Sequence, residues 1–495
     1  MTRSGLLLAA LALAAPGTVG AQDYLLRLDG RIQRVAYRGV RLDSIPAGAV
    51  VPGPDGGPES PDGHAVSCAP GAAFCQFYRP GSERRGGPLV LGADLAAWGF
   101  GVRGLSLHAN ARLGLDLGGA DVWPGTDPPF QLLEGYLEYA NEWLTGRGGR
   151  QFVRGRLGST GFDGGLVGAR HLSSGLAGEA YLGLGLARGV ALPVTAPALD
   201  PLDEFQPRER QLVAGANAAW QFSRGDLRVE YQREVDRDTR NFVAERVALS
   251  TDLRPHAGWR LTGGAEYDLA RGFWGSSDLE LAYGRRRWGA AAGVRRYRPY
   301  FDLWTLWGVF SPVPFTAING SIRASPVSGL DLHASGERYR YADPGAATPL
   351  VREEDDGWRW SAGAGVAFAR VWYAGADYRN EFGPGAALHG WEVHLSWEPR
   401  PEVALSAAGG RQVRPLEFRF DQSELIWVRL RADLRPTERF RLNLSATRYA
   451  EDRQRPDASA FDWNQIRLVA GVSWVLGSGA DRLPLPPAVR RPGKP

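Results

Sequence analysis

The feature that most narrows what this chain can fold into is a two-residue alternation of apolar and polar side chains that recurs along most of its length. Ser106, His108, Asn110 and Arg112 interleave with Leu105, Leu107, Ala109, Ala111 and Leu113. Arg441, Asn443, Ser445 and Thr447 interleave with Phe440, Leu442, Leu444 and Ala446. Successive side chains on a strand point to opposite faces, so each segment has one apolar and one polar face. Repeated segments of about ten residues with this pattern suit a membrane-spanning β-barrel, apolar side toward lipid and polar side toward a watery lumen. After the N-terminal region no run of about 18 apolar residues appears, which excludes a helical membrane protein. Helix-period patterns are nearly absent. The fold class expected is all-β: a transmembrane antiparallel up-and-down β-barrel of about 22 strands, within a range of roughly 16–22.

Arg3, the apolar run Leu6 to Ala15 and the small residues Val19-Gly20-Ala21 read as a signal peptide over 1–21. The barrel is expected over 22–476, and 477–495 as a flexible periplasmic tail. Strands are expected near 24–39, 89–99, 104–117, 131–141, 149–157 and 165–171, and onward to 464–476. Short turns such as Ser223-Arg224-Gly225-Asp226, Arg254-Pro255-His256-Ala257-Gly258 and Arg435-Pro436-Thr437-Glu438 alternate with longer joins near 118–130, 188–209, 298–314 and 341–357. That parity places both chain ends in the periplasm. Residues 40–88, rich in Gly and Pro, read as one long external loop. Cys68 and Cys75 both fall in it, and an exported chain meets an oxidising compartment, so a local disulfide is expected. Trp220, Phe222, Trp397, Trp259 and Phe440 flank short turns and Trp474 lies near the end of the last strand, where an aromatic girdle belongs.

Charge is nearly balanced, with 58 Lys+Arg against 54 Asp+Glu, and no basic stripe suggests nucleic acid. The pore-lining candidates are Arg27, Asp29, Arg31, Arg112, Glu134, Glu138, Arg150, Arg154, Arg156 and Arg441. Glu134, Tyr136 and Glu138 share one strand face. Across the expected turn Thr145-Gly146-Arg147-Gly148-Gly149, Arg150, Arg154 and Arg156 are read as the opposed basic ladder. Asp226, Arg228, Glu230, Gln232 and Glu234 form another polar face, and Asp331, His333, Ser335, Glu337 and Tyr339 a third. Arg298, Tyr300, Trp304 and Trp307 combine arginine with aromatic rings and suit either a constriction or a strand extension under outer loops. Glu353-Glu354-Asp355-Asp356-Gly357 lacks the spaced ligands of a calcium loop. The seven histidines are scattered, and no hydrolase, zinc or phosphate-loop motif occurs. Ser106 and His108 lie about 7 Å apart along a strand, a poor start for a nucleophile–base pair. No enzyme activity, cofactor or metal is expected.

One local unit adds a resemblance. The aromatic strand Glu134-Gly135-Tyr136-Leu137-Glu138-Tyr139 leads to Gly149-Arg150-Gln151 and then to Phe162-Asp163-Gly164. This arrangement resembles bacterial outer-membrane porins, especially the larger monomeric, substrate-selective and alginate-export-like barrels. The resemblance implies a location in the bacterial outer membrane and passive diffusion or export of small or linear polar solutes through an arginine-rich lumen. Outer-membrane lipid and small polar or anionic solutes would be the partners. The alternative is a structural barrel that sheaths a periplasmic or lumenal protein such as a multihaem cytochrome, or a plugged receptor; about 22 strands enclose room for one.

Overall fold

A computed structural model describes residues 23–478, apart from 54–56, 65, 119–128, 187–209, 236–241, 271, 299–313, 343–355, 384–385, 414–422 and 454–462. The signal segment 1–21, the tail from 479 and the residues Tyr300, Trp304 and Trp307 lie outside the described residues.

The strands in chain order are β1 (Asp23–Pro46), β2 (Val51–Pro52), β3 (Pro58–Glu59), β4 (Phe74–Gly86), β5 (Pro88–Trp98), β6 (Leu105–Asp116), β7 (Phe130–Ala140) and β8 (Leu144–Gly155). They continue as β9 (Gly158–His171), β10 (Leu176–Gly185), β11 (Leu212–Phe222), β12 (Gly225–Val235), β13 (Phe242–Leu253), β14 (Trp259–Asp268), β15 (Phe273–Gly284) and β16 (Trp288–Tyr297). The rest are β17 (Phe315–Ala324), β18 (Leu330–Tyr341), β19 (Asp356–Phe368), β20 (Trp372–Gly383), β21 (Ala386–Arg400), β22 (Val403–Val413), β23 (Ser423–Thr437), β24 (Phe440–Arg453) and β25 (Trp463–Leu476).

From β5 to β25 each strand pairs antiparallel with its sequence neighbour. The ring closes through β1, which pairs with β25 on one side (Gly30↔Val472) and β5 on the other (Gly30↔Leu91). The result is a closed up-and-down barrel of 22 strands, the architecture expected from the alternation. Closure leaves no open edge, the condition for a sheet to lie in lipid.

Residues directly paired across two antiparallel strands share a face. The register therefore carries one face around the ring: Arg27↔Asp94, Asp94↔Asn110 and Asn110↔Glu134 on one side, Asp29↔Ser473 and Arg441↔Ser473 on the other. The opposite face carries Leu107↔Leu137, Leu442↔Val472 and Leu468↔Ala446. Polar residues thus line the inside and apolar residues the outside. Trp259, Tyr283 and Trp288 adjoin at 4.8 and 5.2 Å near the short turns, and Trp372 stacks on Trp397 at 5.4 Å. At the loop end Trp358 stacks on Phe382 at 6.2 Å and Trp360 lies 5.3 Å from Tyr378. These outward rings form two belts, as amphipathic aromatics do at both membrane interfaces.

Two hairpins leave this wall at the loop end. In the first, β1 runs on past its last pairing with β25, Arg34↔Leu468, and continues with β4 from Val35↔Gly86 to Pro46↔Phe74. Residues 40–88, expected as one loop, therefore contain most of a long hairpin. The Gly and Pro content that reads as loop belongs to its tip and to one irregularity, between Arg38 and Val40. The tip has a small core of Val66, Cys75 and Phe77, with Ile45 and Val50 packed on it, and the disulfide Cys68–Cys75. His64 stacks near Phe77 at 5.2 Å, and its Nε2 lies 3.3 Å from Asp62. Burial pushes the His64 imidazole below its ordinary pKa, opposed by the Asp62 charge. The second hairpin is β8–β9, and it folds inward.

Candidate functional site

The β8–β9 hairpin differs from its neighbours in sequence. Its loop-end connection is only Arg156-Leu157, between Gly155 and Gly158. β7 pairs with β8 only up to Gly135↔Arg150, and β9 with β10 only from Gly185↔Phe162. The tip beyond makes no ladder pairs with β7 or β10 and bends into the lumen, where it meets strands more than 70 positions away in sequence. The Glu230 carboxylate accepts hydrogen bonds from the Arg156 and Leu157 amides, at 3.1 and 3.2 Å. Thr160 Oγ1 donates to Gln232 at 3.0 Å, and Gln232 Nε2 donates to Glu234 at 2.6 Å. Arg156 reaches furthest, with Nη2 2.6 Å from Asp278 and Nε 3.8 Å from Glu266.

This seat is dry. Glu234, Gln151 and Phe162 are at most 1% exposed, and Phe162, Leu166, Tyr181 and Val213 pack as one apolar cluster with Val153 beside it. Buried polar groups without partners cost about 1–3 kcal/mol each, and here the turn amides and the facing carboxylate satisfy one another. Small residues make the docking possible. A Cβ on Gly155 would overlap the Glu230 carboxylate, and one on Gly264 would sit 2.5 Å from Arg156 Nη1.

The inner wall differs around the ring. Near the hairpin it presents Glu230, Glu234, Glu266, Asp268 and Asp278, with Arg246 among them. Across the lumen β23, β24, β25 and β1 present Arg429, Arg431, Arg441, Arg467, Arg27 and Arg31, with Asp29 and Asp433 among them. Between these lies a third cluster. Glu337 receives both Arg295 and Arg359, and Arg295 lies 5.3 Å over the Phe315 ring. Tyr339 is buried against Gly357 and Gly383, where a Cβ would strike its ring or hydroxyl.

The expected site residues are placed as follows. Arg27 pairs with Asp29 at 2.9 Å on the polar face, in the strand that also carries Arg31. Arg112 donates to Gln131 at 2.6 Å, and Arg441 is in register with Ser473. Glu134 is in register with Asn110. The ladder opposite Glu138 is different from the one expected. Arg147 pairs with Glu138, whereas Arg150 binds Asp163 in two-point fashion at 2.7 and 2.9 Å. By register Arg150 and Arg154 lie on the face opposite Arg147; Arg156 alone of the three reaches the lumen clasp. The error has a local cause. Thr145 to Gly149 was expected as a turn, but the turn is Asn141-Glu142-Trp143, where Asn141 Oδ1 accepts from the Trp143 and Leu144 amides at 2.8 Å each. The glycines that suggest a turn lie in β8, and Gly149 adopts φ 133°, where a Cβ would overlap the Gly135 carbonyl.

Arg298, expected at a constriction, stacks over Phe273 at 3.6 Å. Ser106 and His108 meet more closely than strand spacing alone gives, with Oγ and Nε2 3.1 Å apart, and the imidazole stacks on Tyr136 at 4.9 Å.

No protein-family model matches the chain, and no curated protein matches it in sequence. Solved structures do resemble it. The copper transporter OprC aligns at 11% identity over 91% of this chain and 80% of that one, with a TM-score of 0.47. OccAB2 of Acinetobacter baumannii aligns at 10% identity over 93% and 100%, with a TM-score of 0.41. A BenF-like porin from Pseudomonas fluorescens aligns at 10% identity over 92% and 98%, with a TM-score of 0.39. The closed ring, its apolar exterior and its two aromatic belts are those of a membrane-spanning β-barrel.

Proposed function

We propose that the protein is an outer-membrane channel through which small polar solutes diffuse, and that the β8–β9 hairpin sets its aperture and charge. The observation that supports this is the docking of Arg156 on Glu230 and Asp278, which carries a polar hairpin part-way across the lumen. A solute passing the tip meets the guanidinium and the acidic wall on one side. On the other it meets the arginines of β23 to β1. Opposed charges across a narrow pore create a transverse field that orients dipolar and zwitterionic solutes. Arg27, Arg31, Arg112, Arg441 and Arg156, with Asp29, Glu134 and Glu138, are the lining residues under this reading.

Planar-bilayer recording of the purified, refolded barrel tests it. The expected result is steady single-channel conductance whose ion selectivity changes when Arg156 is replaced by Gln. A folded wild-type barrel with no conductance overturns the channel reading and favours a sheath or a plugged receptor.

A further inference from the structure

At the short-turn end of the wall, β15 and β16 are joined by Arg285-Arg286-Arg287. This is the one short turn with three like charges. The turns at 400–402 and 435–439 mix signs, with Glu402 near Arg400 and Glu438 between Arg435 and Arg439, and the others carry at most one arginine. Arg285, Arg286 and Arg287 are exposed, and none makes an ion pair with a described residue. The turn itself is fixed. The Arg285 amide donates to the Trp288 carbonyl at 2.7 Å, and the Ser325 amide donates to the Arg287 carbonyl at 2.7 Å, which ties it to the next turn.

Arg285 shows which way this charge is turned. Its Nε donates to the Tyr283 hydroxyl at 2.5 Å, and its guanidinium lies 5.8 Å from the centre of that ring. Tyr283 is in register with Trp259 and Ala290 and shares the outward face of Leu279 and Leu281. Arg285 therefore runs along the outside of the wall, not over the pore. Trp259 and Trp288 flank Tyr283 there, 40% and 48% exposed. The acids of the neighbouring strands, Asp252, Glu280 and Asp331, are on the lumen face. Asp252 is bound by Arg260 at 2.6 Å, and Asp331 accepts from the Ser325 hydroxyl at 2.5 Å.

A permeating solute does not meet a guanidinium on the outside of the wall, but a lipid headgroup does. Tryptophan and tyrosine rings mark headgroup height. An arginine whose stem rests on such a ring presents its N–H groups to phosphate oxygens two at a time. Three adjacent like charges repel one another unless an anion sits among them, which favours a net-negative headgroup over a zwitterionic one.

We propose that the Arg285–Arg287 turn binds an anionic phospholipid in the leaflet at the short-turn end, which in an outer membrane is the periplasmic leaflet. The arginines take the phosphate, Tyr283 positions Arg285, and Trp259 and Trp288 pack on the glycerol and the first part of an acyl chain. The site needs a membrane-spanning wall but not conduction, since no lumen residue takes part.

The test uses the full barrel in detergent, titrated with phosphatidylglycerol and with phosphatidylcholine of the same acyl chains and read by native mass spectrometry. Wild type is expected to bind phosphatidylglycerol at least roughly tenfold more tightly than phosphatidylcholine, and R285Q/R286Q/R287Q to bind the two alike. Arg411→Gln, at the loop end, should keep the wild-type preference. No preference in wild type, or an undiminished one in the triple variant, overturns the proposal. A soluble poly-glutamate peptide that binds wild type as tightly as phosphatidylglycerol, and is lost in the triple variant, also overturns it, because the turn would then serve a soluble acidic partner. If the triple variant does not fold, Arg286→Gln and Tyr283→Phe are measured singly; wild-type preference in both is equally decisive against it.

Discussion

The two hairpins that leave the wall begin alike and end differently. Both run past the point where neighbouring strands stop pairing with them, β1–β4 beyond Arg34 and β8–β9 beyond Arg150. The β1–β4 hairpin holds itself together, with a disulfide, a core of Val66, Cys75 and Phe77, and the ion pair of Arg79 with Asp43 at 2.7 Å. The β8–β9 hairpin has a two-residue tip that is held by other strands, through Glu230, Gln232 and Asp278. The comparison teaches that a hairpin with its own apolar core and a covalent link can stand off a barrel. A hairpin with neither must find its partners on other wall strands inside the lumen, and there it takes up part of the bore.

The largest expected effect comes from removing that docked tip. Replacing residues 153–160 by a short Gly-Ser link should raise single-channel conductance severalfold in a barrel that still folds. A conductance equal to wild type would mean that the tip does not limit the aperture. Arg156→Gln should act next most strongly. It removes the cation paired with Asp278 and one of the two that face Glu266, so the reversal potential should move toward cation selectivity. No movement would make the clasp purely structural.

Glu230→Gln should loosen the tip without removing it. A neutral amide accepts more weakly than a carboxylate and presents one oxygen where two were used, at a cost of about 1–3 kcal/mol. Hydrogen exchange at the Arg156 and Leu157 amides should accelerate, with the wall strands unchanged. Protection equal to wild type would show that Glu230 is not what holds the turn.

For the outward hairpin the expected effects are smaller. Reducing Cys68–Cys75 should cost its tip about 2–3 kcal/mol and leave barrel melting and conductance unchanged. A fall in conductance on reduction would mean that the two hairpins are coupled. Acid should act on the same tip through His64. Its imidazole is held below the ordinary value of 6.5, so the folded tip favours the neutral form. That stabilisation is complete above 6.5 and is lost as pH falls below it, because the unfolded segment takes up the proton first. Proteolysis of the 47–73 segment should therefore quicken on acidification in wild type and lose that pH dependence in His64→Gln.

Much of the wall was legible because strand alternation is a local property. Leu442, Leu444 and Leu468 fall on the outer face and Arg441, Asn443 and Arg467 on the inner one, as alternation alone demands. The turns at Ser223-Arg224 and at 254–258 were legible for the same reason, the latter ending on Gly258 at φ 83°. The candidate site was less legible. Glycine marks a turn in most contexts, yet Gly146, Gly148 and Gly149 sit inside β8, and that misplacement shifted the basic ladder from Arg147 to Arg150. A one-residue change of register moves every side chain to the other face. The usable signal was Asn141, a residue type that turns its own backbone.

What the sequence by itself determined is the barrel: its all-β class, its approximate strand number, its two-faced wall and its disulfide. Each follows from side chains within one strand or one loop, where period and spacing are set by backbone geometry. What only the tertiary structure decided is where the two hairpins go. The partners of Arg156 lie 74 to 122 residues away, on strands that meet it only after the ring has closed. No local pattern carries that information, because a carboxylate written into β12 looks the same whether it faces water or two orphan amides.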